Sequence, residues 1–86
     1  MANKITTVYP AHPISGDVEG NVAKLKKIER ALFLTEGIIP VAPFIGANAA
    51  LDDNKPEERA IGMRANVEYF KRGMIDEVWL YGTWRL

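Results

Sequence analysis

The chain of 86 residues has no cysteine, which excludes disulfides, thiolate metal sites and a cysteine nucleophile. It has one histidine, His12, so a histidine-rich metal site is excluded as well. Lysine and arginine together number 11, as do aspartate and glutamate. The strong positive field that a duplex-binding protein needs is therefore missing, and a nucleic-acid duplex is not expected as a partner. No apolar run is long enough to span a bilayer, and the polar start MANKITT is not a signal peptide. These absences lead to the expectation of a cytoplasmic protein with no membrane partner. The length implies one domain over residues 1–86, with a single core and a modest stability margin. No repeat, low-complexity tract or linker divides it.

What the chain does have is an apolar pattern that alternates between strand and helix. Ile5 to Tyr9 reads as a first strand, dense in β-branched residues and closed by Pro10, which cannot donate a ladder hydrogen bond. Asp17 to Glu36 reads as a helix with Val22, Leu25, Ile28 and Leu32 on one face and Lys24, Lys27 and Arg30 outside that stripe. Gly37 ends it. Ile38 to Val41 is a second strand, whose unalternating apolar run suits parallel pairing and whose Pro40 places it at an edge. The segment APFIGANAALDDNK reads as a loop, with room for a short helical turn, and its length favours a binding role over a plain connection.

Lys55 to Arg72 reads as a second long helix, with Asn54 as its cap, Pro56 in its first turn and Glu57 and Glu58 following. Its stripe of Met63, Val67, Phe70 and Met74 is assigned to core packing. Glu77 to Gly82 is a third strand. The order βαβαβ with right-handed crossovers predicts a short parallel sheet of strand order 2-1-3, the first strand central.

In such an open sheet, ligands bind beyond the carboxyl ends of the strands, where a helix start points unpaired N–H groups outward. The loop from His12 to Gly16 stands at that place. His12 supplies a group that can donate or accept a proton, Ser15 a hydroxyl, and Gly16 a position of close backbone approach. A plain strand-to-helix connection, with Ser15 or Asp17 as the N-cap, reads the same residues equally well.

The blocks VYPAHPISGDVEGNVAKLKKI, IIPVAPF, LDDNKPEERAIGMR and DEVWLYG, in this order and over most of the chain, resemble the nucleoside 2-deoxyribosyltransferase-like family, in particular its small bacterial and phage members. The resemblance implies a Rossmann-like, three-layer α/β fold, a nucleoside or nucleotide as ligand, no cofactor, and chemistry at the bond between base and sugar. It makes His12 to Gly16 the nucleotide-binding loop, so that Tyr9, His12, Pro13, Ile14, Ser15, Gly16 and Phe44 form the expected ligand-binding set. By the same resemblance Glu68 matches an acid that hydrogen-bonds the ligand and assists proton transfer to the leaving base. Asp52 is the second candidate for catalysis, and with Asp53 it offers a carboxylate to a ribose hydroxyl. A solvated helix residue at Glu68 and an exposed acidic loop at Asp52 and Asp53 are the competing readings.

The chain departs from that family in one respect. Its enzymes carry a carboxylate nucleophile after the strand that here ends at Gly82, and Thr83 to Leu86 contain no acid. The expectation is therefore a nucleoside- or nucleotide-binding protein without efficient turnover, suited to sequestering a nucleotide or a nucleotide-derived signal. An N-glycosidase or deoxyribosyltransferase completed by a partner subunit is the alternative, and an oligomeric structural or regulatory module the third. A homo-oligomer is expected through the third strand and C-terminal tail, where Trp79, Tyr81, Trp84 and Leu86 cluster.

Overall fold

The structure is a computed structural model, and it describes residues 4–82. The elements run β1 (Thr6–Ala11), α1 (Val18–Phe33), β2 (Ile38–Pro40), α2 (Pro43–Ala50), α3 (Pro56–Lys71) and β3 (Glu77–Leu80). The three strands form one parallel sheet in the order β2-β1-β3, the order read from the crossover rules. It is a small Rossmann-like α/β fold. Among the described residues, no helix is long and apolar enough to cross a membrane.

Alternation along β1 sends Val8 and Pro10 to one face of the sheet and Tyr9 to the other. The first face holds the core. Val8 is fully buried, and Val22, Leu25 and Leu32 of α1 close over that side. Ile28, the fourth residue of the expected stripe, is half-buried. Asp17 is the N-cap of α1, its carboxylate accepting from Gly20 N–H at 3.0 Å, which settles the choice between Ser15 and Asp17.

Pro10 does not close β1, because the strand continues to Ala11. In a parallel strand successive residues address opposite neighbours. Val8 O accepts from Val41 N on the β2 side, while Thr7 O accepts from Asp76 N and Ala11 O from Tyr81 N on the β3 side. Pro10 thus faces the β2 side beyond the last residue of that strand, where no ladder bond is lost. Pro40 tolerates its strand for the edge reason given by the sequence: the bond at Val41 turns Pro40 outward. Met74 to Asp76 lead into β3 through a clasp on Thr7, whose N–H donates to Asp76 Oδ2 at 2.9 Å and whose hydroxyl donates to Met74 O at 2.7 Å.

Three further readings are corrected. The segment taken for a loop contains α2, eight residues with Pro43 in its first turn and Ala47, Ala49 and Ala50 supplying helix propensity. The N-cap of α3 is Lys55, without a side-chain capping bond, rather than Asn54, whose N–H is turned onto Asp52 Oδ1 at 3.0 Å. The largest change concerns the α3 stripe. Met63, Val67, Phe70 and Met74 are 63%, 48%, 42% and 49% exposed, and no residue of α3 is buried. The helix packs its backbone closely on α2 alone and reaches the sheet through side chains, Phe70 meeting the Tyr9 ring at 5.0 Å between centroids. Its apolar side stands off from the sheet instead of sealing it. Trp84 and Leu86, expected at an interface, lie outside the described residues.

Candidate functional site

The segment after β1 is shaped by its own polar groups. His12 Nδ1 donates to Pro13 O at 2.7 Å, so in the neutral ring Nε2 carries the free lone pair. Asn21, one turn into α1, donates through Nδ2 to Ile14 O at 3.0 Å and Ser15 O at 3.4 Å. This ties the loop back to the helix it opens. Gly16 has φ +94°, a conformation that a side chain would strain, and the space beside its Cα is open. At the end of the described chain Gly82, with φ +78°, lies so near this loop that a Cβ there would come within 3.0 Å of Pro13 Cδ and 3.1 Å of His12 Nε2.

Between this loop and the α2–α3 pair lies a cleft of about 740 Å³. One wall is Tyr9, His12, Ile14, Ser15 and Gly16, with Val18 and Leu25 of α1 below them. Phe44, Ala47, Asn48 and Leu51 form the α2 wall. Arg59, Gly62, Met63, Asn66 and Val67 form the α3 wall, a stripe at three- and four-residue spacing. The standing-off of α3 therefore has a use: Met63 and Val67, read as core, line a cavity.

Of the expected ligand-binding set, the structure brings Tyr9, His12, Ile14, Ser15, Gly16 and Phe44 to the cleft, whereas Pro13 is not among its lining residues. The two acids expected for catalysis are elsewhere. Glu68 lies on another side of α3, outside the cleft, and its Oε1 takes Arg72 Nε at 3.0 Å. Asp52 is also outside, its carboxylate turned to Asn54 N–H. The carboxylates that do line the cleft are Asp53 and Glu58. Glu58 is engaged, accepting from Asp52 N–H at 3.1 Å and facing Lys55 Nζ at 3.7 Å. Asp53 has no side-chain partner among the described residues.

Asn48, Arg59 and Asn66 were not singled out from the sequence. The signal for Asn66 lay in spacing, because it sits three residues after Met63 and beside Val67, on whatever surface those two address. Asn48 was hidden by reading α2 as loop. Asn66 Oδ1 accepts from the Tyr9 hydroxyl at 2.9 Å, the one polar bond from α3 to the sheet that the described side chains make.

The charges are unevenly placed. The Asp17 carboxylate accepts from the Gly20 amide in the first turn of α1, and a Cβ at Gly20 would collide with it. Glu19 follows in the same turn. That end of the helix already holds its anion. Arg59 is the cation of the cleft wall, and its guanidinium has no partner among the described residues. Among the described residues, Asp76 is the group whose carboxyl is clearly held below its ordinary value. The Thr7 N–H is the largest cause, the Thr7 hydroxyl the next, with the charge of Lys4 adding to them. It lies before β3, at the end of the sheet away from the cleft. No group of three His, Asp or Glu among the described residues could hold a metal ion. Among the described residues the cleft is thus lined by apolar side chains together with an imidazole and two side-chain amides, and with a carboxylate and a guanidinium that have no side-chain partner.

No curated protein and no solved structure matches the chain. A family model described as a domain of unknown function, DUF7768, matches residues 6–85. That span runs from the first residue of β1 to beyond β3 and takes in every wall of the cleft, so the chain belongs to the DUF7768 family.

Proposed function

We propose that the protein binds a nucleoside or nucleotide in the cleft and holds it without efficient turnover. The observation that carries this reading is the cleft itself, at the carboxyl end of β1, lined by an apolar wall with a few polar groups converging on it. Its volume is within the roughly 300–1,000 Å³ range of small-molecule sites. The resemblance of the VYPAHPISG and LDDNKPEERAIGMR blocks to nucleoside 2-deoxyribosyltransferase-like proteins supplies the ligand class.

Asp17 shapes the pose. A phosphate at the start of α1 would meet that carboxylate, so a sugar hydroxyl is the better partner for Ser15 and Gly16, and the base lies toward Phe44 and Met63. Turnover would require a carboxylate on the face of the sugar opposite the departing base. Asp53 is the unengaged acid available for it, and a general acid alone supplies only ~10²- to 10⁴-fold. Sequestration of the ligand is accordingly the favoured role.

Calorimetry of the intact chain with nucleosides and their monophosphates tests the binding. Dissociation constants at micromolar level, lost on Phe44→Ala, support the reading, and absence of heat with every compound overturns it. Chromatography for free base after long incubation tests turnover. Base release that Asp53→Asn abolishes would replace the binding-only reading with an N-glycosidase.

A second copy of the chain is part of the proposal. The two sheet edges differ: β2 turns Pro40 outward, whereas β3, EVWL, carries neither proline nor lysine and exposes Val78 at 48% and Leu80 at 68%. Pairing of two copies through β3 satisfies its free edge and covers that apolar surface.

A further inference from the structure

Asn66 is held in one orientation by neighbours that are themselves held. Tyr9 stands on the central strand, its ring packs at 55° on Phe70, and its hydroxyl donates to Asn66 Oδ1. With the amide oxygen committed to Tyr9, the Nδ2 group is left with two N–H donors that have no partner among the described residues. Both side chains line the cleft. In an open cleft such donors are satisfied by water. A ligand that fills the cleft displaces that water, and it must offer an acceptor or leave the donors unpaired.

We infer that Asn66 is the residue by which the cleft selects its ligand, donating from Nδ2 to a carbonyl oxygen on the edge of a nucleobase, with Tyr9 as the positioning residue that fixes the amide. The inference rests on the reading of the cleft as a nucleoside site and narrows it to bases with an oxo group at the recognised edge. The base, rather than the sugar, belongs here because Asn66 shares its wall with Met63 and Val67, in a cleft that Phe44 also lines. A planar ring gains most there by leaving water. Leaving a desolvated donor unpaired weakens binding by about tenfold or more, so the arrangement discriminates and does not merely retain.

Inosine and adenosine test this directly. They differ in having a carbonyl acceptor or an amino donor at the same ring position. Titration of the intact chain with each is expected to give at least a tenfold preference for inosine. Asn66→Asp replaces the donors by acceptors while keeping an oxygen for the Tyr9 hydroxyl, and it is expected to erase or reverse the preference. Tyr9→Phe frees the amide to turn and is expected to bring the ratio of the two affinities near one, with the far-ultraviolet circular dichroism unchanged. If Asn66→Asp fails to fold, the Tyr9→Phe ratio decides. Equal affinities in the wild type, or a preference that survives either folded variant, overturns the assignment while leaving the nucleoside site standing. Absence of binding by both nucleosides overturns the site and the assignment together.

Discussion

Asp17 caps α1 and, in the proposed site, sets which group of the ligand meets the helix start, and the two roles separate by substitution. Asn caps as well as Asp, so Asp17→Asn should leave stability nearly unchanged in urea unfolding, while Asp17→Ala should cost about 1 kcal/mol. Asp17→Asn also removes the charge that repels a phosphate. Calorimetry at low salt should then show nucleoside monophosphates gaining roughly two- to fivefold in affinity, and the parent nucleosides nothing. Asp76 is a purely structural counterpart. Its folded-state carboxyl lies below the ordinary value of 3.8, so folding favours the ionised form and the unfolded chain takes up a proton first as pH falls. The contribution is fully present above that ordinary value and is lost as pH drops through the lower folded value. The stability difference between the wild type and Asp76→Asn, followed by urea unfolding, should be level from neutrality to about pH 5 and shrink steadily below 3.8.

At the scale of elements, α1 and α3 have the same length, but the apolar stripe of α3 is the weaker one, its Met74 falling beyond the helix end, and the two helices have different duties. Leu32→Ala, from a position 6% exposed on α1, should destabilise by about 2–5 kcal/mol. Met63→Ala, from a position 63% exposed on α3, should cost less than about 1 kcal/mol in the same assay and weaken ligand binding instead. Periodicity made both helices legible, and the crossover rules made the strand order legible. Neither says what stands opposite an apolar face. For α1 it is a packed sheet, and for α3 a cavity, so the same signal led to a right assignment at Leu32 and a wrong one at Met63. The α2 segment was hidden because Pro43 and Gly46 interrupt its pattern and no buried face imposes a period on it. The loop from His12 to Gly16 was readable from its place between β1 and α1. The far wall of the cleft was not, because Asn48, Arg59 and Asn66 come together only through the packing of α2 on α3.

At the scale of the whole molecule, β3, whose outer edge no strand among the described residues pairs, should drive self-association. Light scattering at micromolar concentration should report a dimer, and Leu80→Lys, which places a charge on that edge, should return a monomer with unchanged circular dichroism. A monomeric wild type would remove the pairing through β3. The attachment of α3, by way of α2 and the Tyr9 contacts with Phe70 and Asn66, has its own outcome in time. A helix with no buried residue opens at low free energy, without waiting for α1 and the sheet to unfold. Its amide protons should exchange with deuterium far faster than those of Val8 and Val22. A ligand bridging the two walls can slow that exchange only by binding the closed form, so the protection factors of α3 should rise in proportion to free ligand once it exceeds the dissociation constant, and those of sheet amides that exchange through global unfolding should rise by the same factor from a much higher starting level. The helix is then a gauge of occupancy, readable in the absence of any reaction.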